Sequence, residues 1–216
     1  DIIVNPGTFA ADGTYTAVAD ETPRQWMPIG RYRNNSNDFK FNGVFDGQKH
    51  IVSGLYYNGS DSYIALIGIS AHAQASWASV VKNVGIENSY LKGNNYVASI
   101  MASGAYVTVS NCYSTATIEG APYNNGNRYA GGISASEYIN HENCLFAGSL
   151  TGNQRRPVGT GCTNCYYINT VNINENQASG AKRISMNDFQ TMSSAEISAA
   201  IGNDNIKKMI EDINLN

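Results

Sequence analysis

Three sets of residues in this chain are of types that can do chemistry. The first is its histidines, His50, His72 and His141. A zinc peptidase sets two histidines and a glutamate in H-E-x-x-H on one helix face. Here His141-Glu142 runs into Asn143-Cys144, which breaks that pattern. No G-x-S-x-G elbow presents a serine to any of them. His50 is expected to be structural, and His72 and His141 to sit in loops. The second set is the cysteines at 112, 144, 162 and 165. Cys162-Thr-Asn-Cys165 is a CxxC, but zinc needs two further ligands at suitable spacing, and a redox motif needs a βαβ context. Neither is evident. The third set is the carboxylates Glu87, Glu119, Glu137 and Glu142. Glycoside hydrolysis needs two acids a few ångströms apart, and elimination needs calcium-holding acids beside a basic residue. Four Glu scattered along the chain read as isolated surface charges, and Asp46-Gly47 reads as a turn. The sequence therefore yields no catalytic residue, no metal ligand and no cofactor.

Tyrosine is the stronger signal for binding. Tyr63, Tyr96 and Tyr129 recur at a spacing of 33, and Tyr90, Tyr113 and Tyr166 follow a second motif. Exposed tyrosines in a column make a stacking platform for sugar rings or a protein surface. The candidate binding residues are Tyr63, Tyr96, Tyr129, Tyr90 and Tyr113. The competing reading has these rings lean across corners of the fold and shield the strands.

The elements that position them are repeats. Tyr63-Ile-Ala-Leu-Ile67-Gly-Ile-Ser70, Tyr96-Val-Ala-Ser-Ile100-Met-Ala-Ser103 and Tyr129-Ala-Gly-Gly-Ile133-Ser-Ala-Ser136 align without gaps. A second motif reads Asn88-Ser-Tyr90, Asn111-Cys-Tyr113, Asn143-Cys-Leu145 and Asn164-Cys-Tyr166, at spacings that vary as insertions in turns would make them. Val107-Thr-Val109, Thr115-Ala-Thr-Ile118 and Tyr166-Tyr-Ile168 are β-formers punctuated by Gly, Asn and Ser. Identical positions recurring in successive short strands predict parallel stacking, with like residues one strand spacing (about 4.8 Å) apart. Ile67, Ile100 and Ile133 are expected to face inward. The four Asn are expected to form a ladder at a left-handed corner, and Cys112, Cys144 and Cys165 to be buried, reduced thiols. The 32 residues from Asn111 to Asn143 predict a loop over residues 121–128.

Composition fits a secreted β-rich protein. Charged residues are 14% of the 216, against about 25% in an average domain. The net charge is −3, and the 14 Lys and Arg form no run longer than a pair, which excludes the basic stripe that nucleic acid requires. No apolar run approaches the roughly 20 residues of a membrane span. Beginning at Asp1, the chain is expected to be a mature form or a fragment.

Trp26-Met-Pro28-Ile-Gly30, Phe41-Asn-Gly43-Val-Phe45-Asp-Gly47, His50-Ile51 and Gly54-Leu55 resemble the opening of GLUG-motif repeat proteins. The later Asn-Cys-Tyr motifs and Gly131-Gly132 resemble the repeats of the same family, so the likeness spans about residues 23–168. Only Gly131-Gly132 keeps the paired glycines; Ala65-Leu66 and Ala98-Ser99 stand in the equivalent places. The resemblance implies a right-handed parallel β-helix on the outside of a bacterium, as in adhesin-like proteins and the non-catalytic parts of immunoglobulin-A-cleaving metallopeptidases. It implies no activity.

The expected fold is an all-β right-handed parallel β-helix over residues 1–177, opened by capping strands, with residues 178–216 as a helical C-terminal cap. Ser193 and Glu196 have capping-box spacing, Gly202 stops that helix, and Ile206, Met209, Ile210 and Ile213 follow at helical spacing. The expected function is a non-enzymatic, monomeric module, secreted or at the bacterial cell surface, for adhesion or for binding glycans or host-matrix proteins. The alternative is a polysaccharide-active β-helix enzyme, a lyase or glycoside hydrolase.

Overall fold

The computed structural model describes residues 1–18, 21–32, 39–70, 78–122, 129–153, 155–168 and 180–185, with Glu196, Ala199, Ile201, Gly202 and Asn205. His72, residues 123–128 of the expected loop and most of the expected C-terminal helices lie outside these residues. In chain order the described strands are β1 (Ile2–Ile3), β2 (Gly7–Phe9), β3 (Tyr15–Ala17), β4 (Val44–Ser53), β5 (Tyr56–Asn58), β6 (Ile67–Ile69), β7 (Ser79–Glu87), β8 (Tyr90–Gly93) and β9 (Met101–Ser103). They continue with β10 (Ala105–Ser114), β11 (Thr117–Gly120), β12 (Ala130–Gly131), β13 (Tyr138–Phe146), β14 (Ser149–Thr151), β15 (Arg155–Arg156), β16 (Cys162–Thr163), β17 (Tyr166–Ile168) and β18 (Lys182–Ile184).

The described residues are mostly strands in parallel sheets with almost no helix, an all-β parallel arrangement. The main sheet runs β1-β4-β7-β10-β13-β17-β18, with β16 also on β13, and a second runs β14-β11-β8-β5. A third column joins β6 to β9 and β12 to β15, extended by bridges Ile64 to Val97 and Val97 to Ala130. Successive repeats visit the three columns in the same order, for example β7-β8-β9 and then β10-β11-β12. The antiparallel hairpin β2–β3 departs from this rule. Helical backbone among the described residues is confined to Glu196, Ala199, Ile201 and Asn205.

One local device recurs in the main sheet. In β10, Val107 and Val109 are buried while Thr108 and Ser110 are partly exposed, the period-two alternation of a strand. Asn111 then takes φ 53°. Its left-handed backbone shifts the phase by one residue, so Asn111 stays outside and Cys112 enters the core. β13 repeats this with Ile139 and His141 inside, Asn143 at φ 52° and Cys144 inside. β7 does so with Val81 inside, Asn83 at φ 55° and Val84 inside. Asn suits the position because it tolerates the left-handed region better than other L-residues.

The core lies between the sheets. Ile67, Ile100 and Ile133 are buried in it, as expected, and Ile67 N–H donates to Ile100 O (2.9 Å) and Ile100 N–H to Ile133 O (3.1 Å). A smaller cluster forms on the other face of the main sheet, where Tyr113, Leu145, Ile168 and Ile184 pack with Ile201. Ile201 is fully buried there, Gly202 lies against the Asn111 side chain, and Asn205 donates to Lys49 O of β4. The described tail residues thus lie along the outer face of the main sheet. At its terminal edge stands a strand, β18, paired with β17.

Candidate functional site

The polar residues that the sequence singled out form two ladders. In the first, each Asn amide donates to the one before it: Asn164 Nδ2 to Asn143 Oδ1 (2.8 Å), Asn143 to Asn111 (3.0 Å) and Asn111 to Asn83 (3.1 Å). Asn83 Nδ2 donates to Asp46 Oδ1 (2.9 Å), and Lys82 Nζ stands 3.3 Å from the other carboxylate oxygen. The Asn83 amide, with the Gln48 N–H, holds the Asp46 carboxyl below the usual range. The motif spacing predicts Asn88 as the first member of the ladder, and the structure has Asn83 there. Asn88 is also left-handed, but at the next corner, where its amide donates to Gly7 O (2.5 Å) and accepts from Phe9 N–H (3.0 Å), pinning the N-terminal hairpin. Asn83-Val-Gly85 escapes the Asn-Cys-Tyr pattern for a steric reason. The Tyr113 ring of the next strand covers Gly85, where a Cβ would lie 2.4 Å from Tyr113 Cζ.

The thiols behind this ladder are buried. Cys112 and Cys144 are opposite one another in register, and both are reduced, as are Cys162 and Cys165. Burial pushes the Cys112 thiol up to about 12 and raises Cys144 as well. His141 is not in a loop. It is buried in β13, with Nδ1–H donating to Thr160 O (2.6 Å) and Nε2 accepting from Ser134 Oγ (2.6 Å). Burial lowers its pKa, so it is held neutral. Gly159 lies so close to both that a Cβ there would be 2.3 Å from His141 Cε1 and 2.6 Å from Ser134 Oγ, which closes the pair from above. His50, expected to be structural, lies in β4 opposite Val84, is exposed, and meets the Asp1 amino group and carboxylate.

Of the four glutamates that the sequence singled out, three have a structural partner, and Glu142 is exposed on β13. Glu87 accepts from the Tyr113 hydroxyl (2.5 Å), Glu119 from the Tyr90 hydroxyl (2.7 Å) and from Lys92, and Glu137 from Arg156 (2.6 Å). Among the described residues no group of three or more His, Cys, Asp or Glu is placed to hold a metal ion.

The second ladder is aromatic. Tyr32, Tyr63, Tyr96 and Tyr129 stack with centroids 5.5, 5.1 and 5.2 Å apart, and the Arg156 guanidinium lies 5.1 Å from the Tyr129 ring centre. Tyr63 and Tyr96 have φ of 65° and 53°, a region bulky residues avoid at a cost of about 1–3 kcal/mol. Both rings, with Tyr129, cover the buried alanines Ala65, Ala98, Ala102 and Ala135. The faces of Tyr63 and Tyr96 are taken up by their neighbours, so these rings shield the sheet and offer a ligand only edges and hydroxyls. Tyr90 and Tyr113 are 1% and 0% exposed. The repeat motif predicts one column for Tyr90, Tyr113 and Tyr166; Tyr90 instead lies in the second sheet opposite Thr117, and Tyr113 in the main sheet opposite Leu145. Neither is available as a stacking platform.

Accessible aromatic surface gathers at the ends of the Tyr ladder. Beside Tyr32 is a cleft of about 540 Å³ lined by Trp26, Met27, Pro28, Tyr57 and Tyr63, with Gln25, Arg31 and Asp61 as polar groups. Trp26 is fixed by its Nε1–H to Ala65 O (2.9 Å), and Gln25 by hydrogen bonds to the Asn58 backbone. Burial and the neighbouring Asp61 raise the pKa of the Tyr57 phenol. Trp26, Met27 and Pro28 belong to the W-x-P-I-G segment, which sequence reasoning used to recognise a repeat and did not consider as lining. Comparisons with family models, curated proteins and solved structures gave no match.

Proposed function

We propose that this chain is a non-enzymatic binding module of a bacterial surface or secreted protein, and that the Trp26–Tyr57 cleft contacts a glycan or host-matrix ligand. The single observation that supports this most is the cleft itself: fixed aromatic and apolar walls with a few oriented polar groups, the usual make-up of a small-ligand site. Strands that revisit three parallel columns in a constant order also favour the finer fold, a right-handed β-helix of the GLUG-repeat type, in which each repeat is one coil. Glu87, Glu119 and Glu137, each tied to its own Tyr, Lys or Arg partner, favour binding over polysaccharide cleavage, which needs acids converging on one bond.

The test is a glycan and host-matrix array probed with the intact chain and with Met27→Ala and Tyr32→Ala, two exposed positions at the cleft. Retained signal for the parent chain and loss for either variant is the expected result. A flat array, or turnover of pectin, mucin or alginate that disappears when one acid is changed, would overturn the reading.

A further inference from the structure

A second concave site, of about 590 Å³, lies at the other end of the aromatic ladder and is lined by Tyr106, Glu137, Tyr138, Asn140 and Thr160. Its geometry begins with a register break. β10 and β13 pair Ala105 with Tyr138 and Val107 with Ile139, so Tyr106 is an extra residue in β10 with no partner position in β13. Such a bulge is rare between parallel strands and serves to re-aim a side chain. Tyr106 also has φ 55°, in the left-handed region, where an aromatic residue is strained. The outcome is a Tyr106 ring 53% exposed beside Tyr138, which is 72% exposed. Neither takes part in the stacked ladder, so their ring faces are not covered by it.

The polar groups around these rings are organised. Glu137 accepts from Arg156 Nη2 (2.6 Å), and the same guanidinium lies over Tyr129, so the cleft adjoins the end of the ladder. Thr160 Oγ1 donates to Glu137 O (2.6 Å), fixing the two sides of the cleft to each other. Gly161, at φ 59°, leaves room beside the Asn140 amide, where a Cβ would come within 2.9 Å of Oδ1. Because Arg156 balances Glu137, the cleft presents exposed ring faces with an amide and carboxylate oxygens but no unmatched charge. A cationic amine would compete with Arg156 for Glu137, and an anion would face Glu137. A sugar ring without charge meets neither obstacle: its C–H face stacks on tyrosine and its hydroxyls meet the amide and carboxylate oxygens.

We infer that the Tyr106–Tyr138 cleft is a second binding site, and that it takes an uncharged pyranose. It rests on the binding-module reading only for the class of ligand, since it shares no lining residue with the Trp26 cleft. The experiment titrates the intact chain, carrying ¹³C-labelled tyrosine and tryptophan rings, with methyl β-galactoside, methyl α-mannoside and methyl β-glucoside. Choline chloride and sialyllactose serve as the cationic and anionic arms. At least one uncharged glycoside should shift the Tyr106 and Tyr138 ring signals. Tyr138→Ala should weaken that binding by on the order of tenfold in Kd, a loss of about 1.4 kcal/mol. Tyr106→Phe should preserve it, and Tyr32→Ala should leave it unchanged. Tyr138 is so exposed that its replacement removes little packing, which keeps the test sound if Tyr106 variants fold poorly. Shifts confined to Trp26 and Tyr57 would overturn this site and leave the first standing. Shifts at Tyr106 and Tyr138 that persist with a flat Trp26 signal would support this site and count against the first. Ring shifts caused by choline or sialyllactose but by none of the glycosides would overturn the assignment of an uncharged sugar.

Discussion

Asn111 illustrates how much one residue does here. It holds a left-handed corner, donates to Asn83 and accepts from Asn143. Asn111→Ala removes two hydrogen bonds and puts a Cβ-bearing residue with no compensating polar group in the left-handed region. It should cost about 1–3 kcal/mol, read from the urea midpoint. Asn111→Gly loses the same bonds but relaxes the backbone, so it should cost less; equal losses would show that the amide alone matters. His141 gives a pH dependence with a definite sign. Its folded pKa is depressed by burial below an unfolded value of about 6.5. Stability is therefore fully present above about pH 6.5 and lost as pH falls from there toward the folded value, because the unfolded chain takes up a proton that the folded chain resists. The urea midpoint should be lower at pH 5 than at pH 7.5, and His141→Asn should flatten that difference even while lowering the midpoint overall. The lowered carboxyls of Asp46 and Glu119 act only at more acidic pH, outside this window. An unchanged slope in the variant would exclude His141 as the source.

At the scale of elements, the Tyr ladder ties successive repeats together from outside while the Ile column does so from within. Tyr96 contacts a ring on either side, at 5.1 and 5.2 Å. Tyr96→Leu should destabilise by about 1–3 kcal/mol, from two aromatic pairs of about 0.5–1.5 kcal/mol each. Tyr96→Phe should stay within about 0.5 kcal/mol. A calorimetric Tm series would expose the opposite ranking, which would mean that the hydroxyls hold the ladder. The parallel strands, the Ile column and the Asn111–Asn143–Asn164 ladder were legible in the sequence because stacking makes like residues recur. What was not legible follows from register. Asn83 and Asn88 are both left-handed corners five residues apart, and only the three-dimensional pairing says which one joins the row. Tyr90 and Tyr113 share a motif, yet Asn88 stands at the corner before the second sheet and Asn111 stands inside a main-sheet strand, so the two tyrosines fall in different sheets. Tyr106 carries no repeat signal at all, being a residue inserted once.

Among the described residues, the end and the outer face of the main sheet are covered by different parts of the tail. β18 pairs with the last strand of the main sheet, while Ile201 covers Tyr113, Leu145 and Ile168 on its outer face. Removing residues 178–216 would uncover that apolar face and the edge of β17 together. An uncovered strand edge recruits other chains, so the truncated protein should form larger oligomers in light scattering than the intact chain does; a truncated form that stays the same size as the intact chain and stable would refute this role for the tail. The amide row has a further consequence for how such a molecule can change length. Every side chain in it donates toward Asp46, which as a carboxylate only accepts, and the far end closes with the Tyr166 hydroxyl donating to Asn164 Oδ1 (2.9 Å). The row is thus a vector with a defined head and tail. A duplicated repeat spliced in the same sense would continue it, donor to acceptor, without leaving an unmet group, whereas a partial repeat would break it at both joins. Growth or loss is therefore quantised in whole repeats, and the two clefts at the ends of the aromatic ladder would move apart or together by one strand spacing each time.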